Sequence, residues 1–220
     1  GATAGTLKSH AYQIEMNDGS TRMKSFKVVA GVESTKTTDI SYVEQEEVAR
    51  DSYGFDSTTT LENELGLYGD AWKGSVVTHV MSSKAAFNAT TRALSSEAYQ
   101  AQSKDEKTTR MVSKSTAGTI SFVEQTELSK ATNAALITEL GAAGQSGELM
   151  EVHSFSTKWT ADVADDPATL DKDETSYKAG TLKSHAFQIE MNDGSTRMKS
   201  FKVVAGLEST KTTDISYVEQ

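Results

Sequence analysis

Residues 4–45, AGTLKSHAYQIEMNDGSTRMKSFKVVAGVESTKTTDISYVEQ, return as residues 179–220 with two changes, Phe187 standing for Tyr12 and Leu207 for Val32. A chain that carries one text at both ends must build the same local structure twice, and a fixed period is the mark of a repeat architecture. The offset between the copies is 175 residues. Both changes keep aromatic or apolar character, as drift in a natural tandem array does.

A fainter repeat lies between the copies. Ala11-Tyr12-Gln13 reappears as Ala98-Tyr99-Gln100 and as Ala186-Phe187-Gln188. Thr21-Arg22-Met23 answers to Thr109-Arg110-Met111, and Ile40-Ser41-Tyr42-Val43-Glu44-Gln45 to Ile120-Ser121-Phe122-Val123-Glu124-Gln125. Glu64-Leu65-Gly66 matches Glu139-Leu140-Gly141, and a histidine follows each, His79 and His153. Markers in one order divide the chain into modules of about 88 residues. Residues 1–97 form the first (repeat core 11–97), 98–185 a divergent copy, and 186–220 the start of another of the first kind.

Each module reads as β-β-β-α-β. His10 to Met16 alternates, Asn17-Asp18-Gly19-Ser20 turns, and Thr21 to Val29 continues, since Asn-Asp-Gly tolerates the positive φ of tight hairpins. In the middle module Lys104-Asp105-Glu106-Lys107 lacks that glycine, which predicts a longer or differently built loop. Asp39 to Val43 and Thr119 to Val123 are rich in β-branched and aromatic residues and read as third strands. Thr126 then caps a helix from Glu127 to Leu140, with Leu128, Ala131, Ala135, Leu136 and Leu140 on one face and Gly141 as its stop. In the first module Thr59 and Glu62 stand at capping-box spacing, with Gly66 as the stop. Final strands follow at Val76 to Lys84 and Leu149 to Val163. The fold class is α+β and β-rich. A four-stranded sheet with one helix leaves open edges, so two modules are expected to pair into a pseudo-twofold sandwich or barrel with helices packed on it.

Composition excludes several functions. Net charge of −9 argues against a nucleic-acid partner, which needs clustered Lys and Arg. No stretch approaches the ~20 apolar residues of a membrane span. The opening GATAGTLKSH has no basic region followed by an apolar run, so it does not read as a signal peptide, and one removed earlier would leave no trace. The absence of cysteine excludes disulfides and thiolate metal sites, and leaves the compartment open.

Five features bear on chemistry. His79 and His153 sit on corresponding final strands, and a pseudo-twofold axis would bring them together to bind a metal or move a proton. One ancestral histidine copied twice is the plainer account. Residues 162–174 are rich in acids, and Asp165, Asp166, Asp171, Asp173 and Glu174 could offer oxygens to calcium. The spacing does not fit the twelve-residue calcium loop, and a solvated charged loop explains the run as well. Asn88-Ala89-Thr90 is an N-glycosylation sequon. Tyr68, Trp72, Phe87 and Trp159 could stack on sugars or fill cores. Glu44 and Glu124, each followed by Gln at the expected strand-to-helix junction, would be helix-capping acids or carboxylates with perturbed pKa.

Enzyme signatures such as GxSxG, HExxH, P-loop and GxGxxG are absent. The expectation is therefore a non-enzymatic structural protein without cofactors: an extracellular or cell-surface repeat unit of a fibre, matrix, surface layer or adhesin stalk. Its partners would be itself or neighbouring repeats, the duplicated segment adding strands to an open edge. The alternatives are a carbohydrate- or calcium-binding module and, more remotely, an α+β barrel enzyme using the paired histidines.

Overall fold

The computed structural model describes residues 7, 9–89, 93–161, 177–178 and 180–220. The first stretch runs β1 (His10–Glu15), β2 (Thr21–Phe26), β3 (Val28–Val29), β4 (Val32–Glu33), β5 (Ile40–Val48), α1 (Leu61–Glu64) and β6 (Val77–Ser83). The middle stretch runs β7 (Leu94–Gln102), β8 (Thr108–Ser115), β9 (Ile120–Leu128), α2 (Ala134–Glu139), β10 (Leu149–Phe155), β11 (Thr160–Ala161) and β12 (Tyr177–Lys178). The last comprises β13 (Leu182–Glu190), β14 (Thr196–Phe201), β15 (Val203–Val204), β16 (Leu207–Glu208) and β17 (Ile215–Glu219). The chain is β-rich, as its sequence pattern requires.

Eleven of these strands form one antiparallel sheet in the order β1-β2-β5-β6-β7-β8-β9-β10-β13-β14-β17. This replaces the expected sandwich or barrel. The stretches do not pair face to face; they join side by side through the main chain, β6 to β7 and β10 to β13. Long strands meeting in register satisfy each other's edge groups laterally, so closure is not needed to cover the inner edges. The two ends of the order, β1 and β17, keep an open side among the described residues.

Side chains alternate across the sheet. One face carries His10, Tyr12 and Ile14 on β1, Val77 and His79 on β6, Arg110 and Val112 on β8, Glu151 and His153 on β10, and His185, Phe187 and Ile189 on β13. The other repeats a Gln-Met-Val row three times: Gln13, Met23 and Val43, then Gln100, Met111 and Val123, then Gln188, Met198 and Val218.

The first face is covered by the two long connections, here called arms. The first arm, residues 49–76, brings Leu61, Leu65, Leu67 and Trp72 onto Val77, Ala101, Val112, Phe122 and Phe155, with Trp159 closing the cluster. It therefore packs over the strands that follow it in sequence. The second arm, residues 129–148, repeats the geometry: Leu140 and Ala142 close over Leu149, Ile189 and Met191. Both arms stop their short helices at a glycine with φ of 60°, Gly66 and Gly141. A side chain in that left-handed conformation is strained, so Gly66→Ala should lower stability by about 1 kcal/mol, read as a reduced urea midpoint at unchanged slope.

Local expectations differ at three places. The middle helix begins at Ala134, not Glu127, because the third strand runs on to Leu128 and its pairing with Thr108–Lys114 and with β10 outweighs helix propensity. The final strand of the middle stretch ends at Phe155 rather than Val163. The β7–β8 turn is as long as its counterpart, five residues in each case, Ser103–Lys107 and Met16–Ser20. Glu106 takes the positive φ (62°) that Gly19 supplies at 84°. Asp105 accepts hydrogen bonds from Ser103 Oγ and Lys107 N much as Asp18 does from Ser20, and this side-chain bonding holds the turn without glycine.

Candidate functional site

The recurrent sequence markers meet in space. Arg110 on β8 donates from Nε to Glu124 on β9 at 2.7 Å and from Nη1 to the carbonyls of Gly66 (2.5 Å) and Leu65 (3.4 Å) in the first arm. Its guanidinium lies between the faces of Trp72 and Trp159, 4.8 and 5.0 Å from their centroids. Arg197 on β14 does the same in the next stretch. It donates to Glu219 (3.2 Å), Gly141 (2.7 Å) and Leu140 (3.2 Å). The carbonyls at a helix end are thus held by an arginine from the following sheet segment. Arg22, at the matching position of β2, pairs with Glu44 at 2.7 Å and lies 5.1 Å from the Phe87 ring.

Glu44 and Glu124 are therefore not helix caps. They lie within strands as partners of arginine, since no helix begins beside them. Trp72 and Trp159 are buried core residues, closed to a sugar. Tyr68 bonds Asn63, and Phe87 packs edge-on to Tyr42. Asn88 is exposed in the β6–β7 connection. Asp165, Asp166, Asp171, Asp173 and Glu174 lie outside the described residues, so the calcium expectation does too.

His79 and His153 do not meet. Four strand spacings separate β6 from β10, about 19 Å. Nor do they hold the same register. Val77 pairs with Ala101 as Leu149 pairs with Ile189, which sets His79 level with Glu151 and Met81 level with His153. The two seams exchange their charges instead. At the first, His79 bonds Glu46 (3.0 Å) and Glu97 (2.8 Å) and stacks on Tyr99. At the second, Glu151 takes the central position and His185 the flank, with His185 Nε2 3.1 Å from Glu151 and Nδ1 2.5 Å from Glu208.

Among the described residues, the β10–β13 seam brings Glu151, His153 and His185 together. The His153 and His185 rings stack at 4.3 Å, and His185 stacks on Phe201 at 4.8 Å, which forms a ladder of rings across three strands. One ligand atom each from Glu151, His153 and His185 lie within 4.8 Å of one another, an arrangement that could hold a metal ion. Burial, followed by the charge of His185, holds the His153 pKa below its ordinary value, which favours the neutral ring that a metal requires. The cross-strand partner His185 was not legible from the marker histidines, although it precedes the Ala-Phe-Gln marker directly. His185→Ala should cost about 1–2 kcal/mol, because it leaves two carboxylates facing each other without a donor. The matching His10→Ala at the open edge should cost less, and paired urea titrations compare them.

Comparison of the chain with family models, with curated proteins and with solved structures returned no match.

Proposed function

We propose that this chain is a structural, non-enzymatic assembly protein: a repeat unit of an extracellular fibre, matrix, surface layer or adhesin stalk. It grows by adding strands along a single sheet. One observation carries this reading. The same sequence stands in two environments, as an uncovered edge at β1 and as an inner, covered strand at β13. Ile14 is 61% exposed and its counterpart Ile189 is 0% exposed. One 175-residue period contributes eight main-sheet strands, β1 to β10, and would lengthen a fibre by about 38 Å. Electron microscopy and sedimentation of the full chain, from micromolar to near-millimolar concentration, should show unbranched linear species with that axial spacing. A 23.7 kDa monomer at every concentration contradicts the reading.

A second reading, metal binding, rests on the convergence of Glu151, His153 and His185. Their nitrogen and oxygen donors suit a borderline ion such as zinc better than calcium. Calorimetric titration with zinc should give one site that His153→Ala abolishes; equal heats from the variant would remove it.

A further inference from the structure

The β1 edge is an unfinished copy of the β10–β13 seam, and this identifies what would finish it. We propose that β1 docks on β10 of a second copy of this chain, in the register that β10 uses for β13, and displaces that copy's own residues 185–220. The inference rests on the assembly reading above and specifies its mating surfaces.

Four matches favour this occupant. The first is shape. Ile189 is buried beneath Leu140, Ala142 and Leu149, while Ile14 and Tyr12 on β1 stand 61% and 63% exposed. An incoming second arm would cover Ile14 as it covers Ile189, and an incoming β10 would flank Tyr12 as it flanks the half-buried Phe187. The second is charge. His185 is held between Glu208, on its own hairpin, and Glu151, across the seam. His10 already has the hairpin partner, Glu33, and an incoming β10 would bring Glu151 to its other side. The third is ring stacking. His153 continues the ladder of His185 and Phe201, and His10 already stacks on Phe26 at 5.1 Å. The fourth is the arginine: Arg22 stands where Arg197 takes the carbonyls of Leu140 and Gly141.

Exchange remakes the bonds it breaks, since the leaving and entering segments differ only at Phe187/Tyr12 and Leu207/Val32. The tethered segment holds β10 with an effective concentration on the order of millimolar. Association is therefore governed by concentration and by the strength of the internal cap, the usual condition for segment swapping.

The test uses the full chain. Ile189→Asp weakens the internal cap and should lower the concentration of half-association about tenfold. Ile14→Asp, on an already exposed side chain, should raise it about tenfold, and the double variant, weakened equally in both contacts, should return close to the wild-type value. A cysteine pair on the wild-type cap gives a second measurement. Val152 faces Ala186 across the seam, and Ala11 is the counterpart of Ala186. Within one chain Ala11 and Val152 are seven strand spacings apart, about 34 Å, so an Ala11→Cys/Val152→Cys disulfide can form only between chains. Oxidation should give a ladder of linked chains. If wild type associates while Ile14→Asp associates equally, or no ladder forms, the mating surface is wrong and the assembly reading survives. If wild type associates at no concentration, both fall. A double variant that still associates at the lowered concentration of Ile189→Asp marks unspecific contact and also overturns the proposal.

Discussion

Arg110→Ala is expected to be among the most damaging single substitutions in the chain, costing about 3–5 kcal/mol. The guanidinium has three roles at once. It neutralises Glu124, it satisfies the carbonyls of Leu65 and Gly66 at the end of α1, and it fills the space between Trp72 and Trp159. Truncation leaves a half-buried carboxylate without its partner, takes the arginine donor from the Leu65 and Gly66 carbonyls so that Gly66 keeps only the Tyr68 N–H, and opens a gap between two indoles. Lysine should not restore the loss, because a single ammonium cannot reach carboxylate and carbonyls together while lying flat between rings. Arg197→Ala provides the comparison. Arg197 makes the same polar contacts at a more exposed position, and about 1 kcal/mol is expected there. Urea unfolding of the three variants checks the ranking, and Arg110→Ala within about 0.5 kcal/mol of wild type would contradict it.

The second large effect has the opposite sign. Glu64→Gln should stabilise the protein by about 3 kcal/mol at pH 8 and change little at pH 4. Glu64 is 1% exposed, and its Oε2 has no hydrogen-bond partner. Burial, reinforced by the neighbouring Asp56 carboxylate, pushes its pKa from 4.5 up to about 7. A carboxyl with a raised pKa in the folded state favours folding while protonated. Its contribution is complete below pH 4.5, is lost as the pH rises towards 7, and stays lost above that. The corresponding acid in the second arm shows what is missing. Glu139 pairs with Lys199 at 2.9 Å and with the Tyr217 hydroxyl, and these contacts hold its pKa below the usual value. The residues matching Lys199 and Tyr217 in the middle stretch are Val112 and Phe122, which offer Glu64 neither charge nor donor. Thermal midpoints of wild type and Glu64→Gln from pH 4 to pH 8 should diverge with rising pH; parallel curves would show that Glu64 is solvated.

The strands were largely legible in the sequence, for a physical reason. Alternation along His10–Glu15 and the β-branched run at Ile120 record which side chains face the covered side, and Asn17-Asp18-Gly19 can do little but turn. Helix limits were not. Glu127 and Leu128 fit both a helix face and a strand, and only the partners across β8 and β10 settle the matter. The layer arrangement was missed because local sequence does not say whether an edge strand finds its partner sideways or through closure. The expected meeting of His79 with His153 failed on register. A one-step count from Gly66 to His79 and from Gly141 to His153 ignores that the connections differ in length, and a shift of two residues puts Glu151 where His79 stands. The arm clamp was within reach, since Arg, Glu and Leu-Gly recur together; what the sequence lacked was the direction of packing, each arm lying over the strands that follow it.

Hydrogen exchange of the wild-type chain tests the central claim most directly, because it compares one segment with itself. Peptides that contain Tyr12 and Phe187 differ in mass and are resolved in one sample. At low micromolar concentration, where the chain is monomeric, the β1 amides should exchange much faster than those of β13, which is hydrogen-bonded on both flanks and lies under the second arm. Raising the concentration towards association should raise β1 protection while that of β13, displaced from β10 as β1 docks, falls towards it. Equal protection of the two segments in the monomer would contradict the account, because β1 would then not be an open edge.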